Sequence, residues 1–566
     1  MPPLLAALKE QEEEARAAVW AAGPGDNRPP GPPEIEKLQR VQQGDCLSRP
    51  RPSTQTLLWK TREYCSQFPE LLVPFLRSVK WHWAHHAIEA RHLLVRWAPF
   101  KRRPQYVTLL DVGFGDPVVR EFAVRKLDRL SDATLGRVLL PLVQALKLEV
   151  RHDSPLARML LRRALLSPLA LGQPLYWFLR GEMRGADACV RFGALLYAFL
   201  SCCGGRLRES LRAQDELTTL LTGVSERVAG LPGRDRTDAA RRELARLNKR
   251  LPACFPLVLD PRVVCCRLSP DRCKVMRSKK APLWLVFENA DKHGKDVCCI
   301  FKTGDDLRQD VVTLQLLQVM DTLWTEKGLD MRMLTYRCVP VGDRAGWIEV
   351  VPDALTTAKI QKEQGGQIIG ALRNFSIQRH LKQSCRSGDE LVQAINCFTR
   401  SCAGYCVATY VLGVGDRHPD NVMVTSKGHL FHIDFGHFLG NFKSKFGILR
   451  ERAPFLFTPE MAYVMGHKTT ARGGGSAKHY ALFKQQCCQA YNVIRENADE
   501  LMGVIVLMLP AGMAELQDRE AISYVRDMLS PEMTAPQAAE KFRQEIESSL
   551  RSVSRRFDNA IHNIRN

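Results

Sequence analysis

The feature that most limits how this chain can fold is a change of hydrophobic period near Phe255. From about residue 45 to 225, segments such as "PVVREFAVRKLDRL", "LGRVLLPLVQALKLEV" and "SPLARMLLRRALL" repeat apolar residues at spacings of three and four. Short breaks with Gly, Pro or Asp separate them, as expected for amphipathic helices stacked in a solenoid. Beyond it, "APLWLVFENA", "DVCCIFKTG" and "AGWIEVVPD" are short, β-rich and bounded by turn residues, as strands are. From about Thr356 the pattern is helical again, apart from "NVMV", the turn "TSKG" and "HLFHI", which read as a hairpin. The fold class is therefore α+β. A helical solenoid spans 45–225, and a charged linker helix at 226–255 contains "LPGRDRTDAARRELARLNKRLP". A small β-rich lobe covers 256–351 and a larger helical lobe 352–566. Residues 1–44 include "AAGPGDNRPPGPPEIEK", rich in Pro and Gly without apolar periodicity, and read as a disordered tail.

Charge and cysteine content narrow the function. The 81 Lys and Arg against 61 Asp and Glu give a formal charge of +20, which suits an anionic partner: nucleic acid, a phosphorylated small molecule or an acidic membrane. No nucleic-acid module is recognisable, so that partner is set aside. The 18 cysteines include adjacent pairs (Cys265 and Cys266, Cys298 and Cys299, Cys487 and Cys488) and no CxxC, so they read as packed thiols in a reducing, cytoplasmic compartment. The run "LMGVIVLMLPAGM" is too short to span a bilayer and contains Pro510, so membrane contact is expected to be peripheral.

Chemistry concentrates in Gly413–Gly440, "GVGDRHPDNVMVTSKGHLFHIDFGHFLG", with four histidines and three aspartates. A metal hydrolase could draw ligands from His418, Asp420, His432, Asp434 and His437. Strand alternation, however, puts His432 and Asp434 on one side and Phe431, Ile433 and Phe435 on the other, which leaves too few placed ligands. Phosphoryl transfer fits better. It needs a base or proton shuttle, oxygen ligands for Mg²⁺ and a cation on the nucleotide phosphates. "DRHPDN" offers Asp416, Arg417, His418 and Asn421, and "DFG" offers the hard carboxylate of Asp434. "IFKTGDDLRQD" offers Lys302 at a strand end, and "RSKKAPLW" a basic turn.

These motifs resemble the phosphoinositide 3-kinase family. "CAGYCVATYVLGVGDRHPDN", "LFHIDFGHFLGNFKSKFG" and "GDDLRQD" look like its class I catalytic subunits, and "LLWKTREYC…SVKW" is similar to the start of their helical domain. The resemblance implies a helical domain followed by a bilobal, protein-kinase-like lipid kinase domain that uses ATP and Mg²⁺. It implies that Ser278 and Lys280 bind phosphate, that Lys302 reaches the α-phosphate, and that Asp310 and Tyr336 lie deep in the nucleotide pocket. Glu349 and Val351 match the hinge, Trp284 and Met423 would sandwich adenine, and Asn421 and Asp434 match the metal ligands. His418 is the expected acceptor of the inositol 3-hydroxyl proton or a stabiliser of transition-state charge. Asp416 is the alternative base, with Arg417 between them.

After DFG, Lys443, Lys445, Arg450 and Arg452 form two basic clusters suited to inositol phosphates. The resemblance therefore implies phosphatidylinositol 4,5-bisphosphate as substrate at the plasma membrane, with the 3,4,5-trisphosphate as product. It leaves a regulatory subunit open as a partner. Class I subunits begin with Ras-binding and C2 domains that do not fit in the N-terminal tail here, so Ras and adaptor binding are not carried over. The two tryptophans usual in the family's last helix are replaced by Val553 and Asn559 in "SVSRRFDNAIHNIRN". Two other readings remain open: a helical scaffold with an inactive kinase lobe, and a Ser/Thr protein kinase of the related type.

Overall fold

The computed structural model describes residues 27–45, 47–183, 186–278, 280–342, 344–365, 375–441, 444–445, 448–449, 453–467 and 477–565. The chain divides into two compact units: Met1–Arg162 with Ala498–Ala511, and Arg163–Asn497 with Gly512–Asn566.

The first unit is helical. Within the segment read as a tail, Pro32–Gln42 is a helix with Leu38 buried, because prolines suit the first helical turn and Glu34 accepts the Gly31 N–H at 3.0 Å. The helix Pro117–Leu127 is capped by Asp116, which accepts from the Val118 and Val119 N–H groups. Inside this unit the buried Arg120 reaches Glu149 at 2.6 Å and the carbonyl of Leu110 at 2.9 Å. The apolar run near residue 505 belongs here too. Its helix Ala498–Val506 packs on the 3₁₀ turn Arg103–Leu110, and Glu500 pairs with Arg102 at 2.8 Å. Gly503 is required there, since a Cβ would stand 2.7 Å from Thr108. Among the described residues no helix is long and apolar enough to cross a membrane.

The second unit carries an antiparallel sheet of strands β1 (Phe255–Pro256), β2 (Val264–Leu268), β3 (Lys274–Val275), β4 (Leu283–Asn289), β5 (Val297–Thr303), β6 (Cys338–Gly342) and β7 (Ala345–Glu349). Their order is β1-β2-β4-β5-β7-β6, with β3 beside β4. Two helices of the helical block pack on it through buried polar groups. Gln173, on the helix Gln173–Glu182, donates to Val258 O at 2.8 Å. Gln214, on Gly205–Ala229, donates to Gln173 at 2.9 Å and to Pro256 O at 3.2 Å. Trp347 of β7 donates to Thr218 at 3.2 Å. The expected hairpin is present as β9 (Val422–Thr425) and β10 (Leu430–His432), joined by β8 (Ala354–Thr356). The helix Gly388–Val411 runs behind it and helices Ala477–Glu496 and Ala535–Arg565 complete the larger lobe. A helical domain followed by a β-rich lobe and a helical lobe is the α+β architecture expected from the change of period.

Candidate active site

Strand β5 ends at Lys302 and Thr303, and the turn after it places Asp305 2.7 Å from the Lys302 ammonium. Lys280, in the turn between β3 and β4, donates to Gly304 O at 2.9 Å and stands 3.9 Å from Asp305. Gly304 has φ +87°, a conformation that favours glycine, and a Cβ there would meet the Lys280 stem at 3.2 Å. Ser278 shapes the same turn, its carbonyl accepting from Ala281 N–H at 3.2 Å. Two cations thus converge on one carboxylate. Burial works to lower the Lys302 pKa, but the hydrogen bond to Asp305 and the charges of Asp434, Asp305 and Asp310 outweigh it and leave the ammonium above its ordinary value.

Asp310 opens the helix Arg308–Glu326 and is buried. Its carboxylate accepts the Phe435 N–H at 3.1 Å, while the neighbouring Gln309 donates to Phe435 O at 2.9 Å. Burial pushes the Asp310 carboxyl up to about 6, against the pull of Lys302 and of the Phe435 N–H. Tyr336 is buried among these groups, and burial followed by the Asp310 charge holds its phenol well above the ordinary range. Arg308 anchors the start of this helix to the helical block, pairing with Glu182 at 2.9 Å and with Asp306 at 2.6 Å.

The DFG segment does not continue the strand. β10 ends at His432, and Asp434 adopts φ +59°, so the alternation expected to put His432 and Asp434 on one side fails. His432 is buried and stacked on Tyr405 (5.1 Å, 10°), whereas Asp434 is exposed and Phe435 fully buried. The cause is a clamp on the backbone. Besides Gln309 and Asp310, Arg417 donates to Gly415 O and Ile433 O, both at 2.8 Å, and to Asp434 O. Arg417 also lies 5.8 Å from the centre of the Phe435 ring.

Further bonds zip the Asp416 loop to the segment after DFG: Gly415 N to His437 O at 2.9 Å, Leu439 N to Leu412 O at 2.7 Å, and Gly440 N to Gly413 O at 3.2 Å. Gly413 (φ +55°) and Gly440 (φ +76°) both lie against Tyr524, where a Cβ would come within 2.3 and 2.4 Å of its ring. Asp416 has φ +56°, and its carbonyl accepts from the Asn421 amide nitrogen at 2.9 Å. That leaves the Asn421 amide oxygen as the group suited to a cation, as the exposed Asp434 carboxylate is. An amide oxygen and a carboxylate are hard donors that fit Mg²⁺. His418 is exposed, and its Nδ1 accepts the Asp420 N–H at 3.3 Å.

The residues expected around adenine are each half-buried. Trp284 on β4 has the Lys274 ammonium 5.0 Å from its ring centre. Met423 on β9 pairs with Phe431 and Thr356. Glu349 ends β7 and accepts the Arg337 backbone N–H at 2.7 Å, with Val351 just beyond it. Of the basic clusters, Lys445 lies on Ser444–Lys445, paired with Ile448–Leu449. Lys443, Arg450 and Arg452 lie outside the described residues. Sequence reasoning passed over Gln309 and Asp305, whose only signal was their place inside "GDDLRQD". It also passed over Glu460, which is buried and accepts from Gln361 at 2.7 Å and from Ile377 N–H at 3.0 Å.

Comparison with known proteins agrees with this order of domains. Residues 29–212 match the accessory (PIK) domain of the phosphoinositide 3-kinase family, and residues 296–518 match the phosphatidylinositol 3- and 4-kinase domain. The chain is 41% identical over 529 residues to phosphatidylinositol 3-kinase 1 of Dictyostelium discoideum, covering 94% of this chain and 33% of that protein. It is 38% identical over 533 residues to the human phosphatidylinositol 4-phosphate 3-kinase C2 domain-containing subunit beta, covering 93% of this chain and 32% of that protein. It therefore spans about a third of the length of the curated relatives it matches. These matches, in the same order as the domains of the fold, identify the chain as a catalytic region of the phosphoinositide 3-kinase family, a helical accessory domain followed by a kinase domain.

Proposed function

We propose that this chain transfers the γ-phosphate of ATP to the 3-hydroxyl of a phosphoinositide presented on an anionic membrane surface. The observation that carries the reading is the convergence of Lys302, Asp310 and Asp434 beside the Asp416–Asn421 loop. Lys302 and Lys280 bind the nucleotide phosphates, displacing the contact each makes at the Gly304–Asp305 turn. Trp284, Met423, Glu349 and Val351 hold adenine between the lobes. Asn421 and Asp434 would hold Mg²⁺, which would supply charge neutralisation for the transferring phosphate.

With Nδ1 accepting the Asp420 N–H, the neutral His418 ring carries its proton on Nε2. It therefore meets the substrate as a donor to the transferring phosphoryl oxygens. Asp416, in the same loop, takes the 3-hydroxyl proton as that oxygen bonds to the γ-phosphorus and the bond to the leaving ADP oxygen breaks. Arg417 acts through the DFG backbone that it holds.

The headgroup is the 4,5-bisphosphate, read by Lys443, Lys445, Arg450 and Arg452. A second reading, the 4-phosphate, is favoured by the name of the human relative. Transfer from ATP to vesicles of phosphatidylinositol, its 4-phosphate and its 4,5-bisphosphate separates them. Combined Lys443→Glu and Arg450→Glu is expected to abolish turnover of the bisphosphate while sparing phosphatidylinositol. Equal loss on all three lipids would remove the headgroup argument, and ATP binding without any lipid product would favour a scaffold. Recruitment to the plasma membrane and a regulatory subunit belong to the same proposal.

A further inference from the structure

Cys254 and Cys266 lie outside the kinase machinery, and their Sγ atoms are 3.2 Å apart. Their approach follows from strand register. β1 pairs with β2 through Phe255 opposite Cys265 and Pro256 opposite Val264, so the same register sets Cys254 opposite Cys266. Leu257 N–H donates to Val263 O at 2.9 Å, which makes 257 and 263 a hydrogen-bonded pair. Alternation then makes 254 and 266 a non-hydrogen-bonded pair, the kind whose side chains stand closest across a ladder. Phe255 and Cys265 are buried on the inner face, whereas Cys254 is exposed and Cys266 half-exposed on the outer one. The 3.2 Å gap therefore opens to solvent.

We propose that Cys254 and Cys266 form a reversible disulfide, a thiol modification site that ties the end of the linker to β2 when the surrounding thiol pool becomes oxidised. The oxidant is a small disulfide such as glutathione disulfide. The more exposed Cys254 thiolate attacks it and forms a mixed disulfide as one glutathione thiolate leaves. The Cys266 thiolate then attacks the Cys254 sulfur, forming the protein disulfide and releasing the second glutathione. Two protein thiols lose two electrons and two protons, and glutathione disulfide gains them. Because the bridge faces solvent, reducing thiols reach it, which suits a reversible site over a structural one. Its position matters because the chain running on from β1 is bonded by Gln173 and Gln214, and Asp260 beyond it pairs with Arg337 at 3.1 Å.

The test incubates the whole protein with glutathione disulfide, blocks remaining thiols, and maps tryptic peptides without reduction. The expected result is a crosslink between the peptide spanning 251–262 and that spanning 263–267. Dithiothreitol should remove it, and it should be absent from Cys254→Ser and from Cys266→Ser. The melting temperature should rise on oxidation of the wild type and stay unchanged in either variant. Cys189, an exposed thiol on the helix Ala186–Cys202, is expected to take a mixed disulfide only. Cys254 recovered as a glutathione adduct with Cys266 free, or a crosslink that persists in Cys266→Ser through Cys265, would overturn the proposal.

Discussion

The proposed nucleotide end and the proposed acceptor end of the site are built differently. At the nucleotide end the charged groups are held by one another before any ligand arrives. Lys302 answers to Asp305, Asp310 and Asp434, and Asp310 is buried against the Phe435 N–H. At the acceptor end only the backbone is fixed, by Asn421, Arg417 and the bonds along the glycine-rich segments, while His418 is exposed with one 3.3 Å contact. The difference teaches that preorganisation here is spent on charge. In the proposed reaction the transferring phosphate would be met by fixed charges, and His418 would take its orientation from the lipid it meets.

The largest effect should come from the residue that belongs to both ends. Asp434→Asn keeps a side chain tolerant of φ +59° but removes the carboxylate. Phosphate transfer is expected to fall about a thousandfold with unchanged melting temperature, since the side chain is exposed. Near-normal turnover would break the comparison, because the charge would then lie elsewhere.

Arg417→Ala separates clamp from catalyst. It removes bonds to three backbone carbonyls, so stability should drop by about 2–3 kcal/mol along with activity. Lost turnover in a protein of full stability would instead make Arg417 a transition-state cation.

Asp310→Asn tests burial through pH. The folded carboxyl titrates near 6, above its ordinary value, so between those two pH values the folded state holds more protons than the unfolded chain. Stability from this group is therefore greatest at low pH and is lost as pH rises through about 6. Asn keeps an acceptor for the Phe435 N–H and removes the charge. The variant's melting temperature should gain on the wild type's as pH rises from about 4 to about 6, and the gap should level off above that. A gap that does not change with pH would place the burial cost on another group.

Much of this was legible in the sequence, and the failures share a cause. The β9–β10 hairpin follows from alternation around "TSKG", and Lys302 from its place at a strand end, because both depend on neighbours within a few residues. The path of Asp434 was not legible. Alternation is a local rule, and here it is overruled by Gln309 and Asp310, more than a hundred residues earlier, which hold the Phe435 backbone. The helix at 498–506 was placed in the wrong unit for the same reason. Its apolar face reads as lobe core, and only the tertiary contacts of Gly503 and Glu500 assign it to the helical unit. Burial of Leu38 likewise gives the proline-rich start a helix that composition alone does not suggest.

The smallest expected effect addresses what holds the lysines before nucleotide binds. Asp305 is partly exposed, and its contacts with Lys302 and Lys280 occupy the cations proposed for phosphate. If it acts as a stand-in for phosphate, Asp305→Asn removes a competitor, and ATP binding should tighten by up to about fivefold, the range of a partly exposed ion pair. If it instead positions the lysines, binding should weaken by a similar factor. The sign of the change, read by calorimetric titration with ATP, decides whether the nucleotide end is preorganised by holding its cations in place or by keeping them occupied. The convergence of both lysines on one carboxylate favours the second, because a single anion facing two cations resembles the phosphate they would bind.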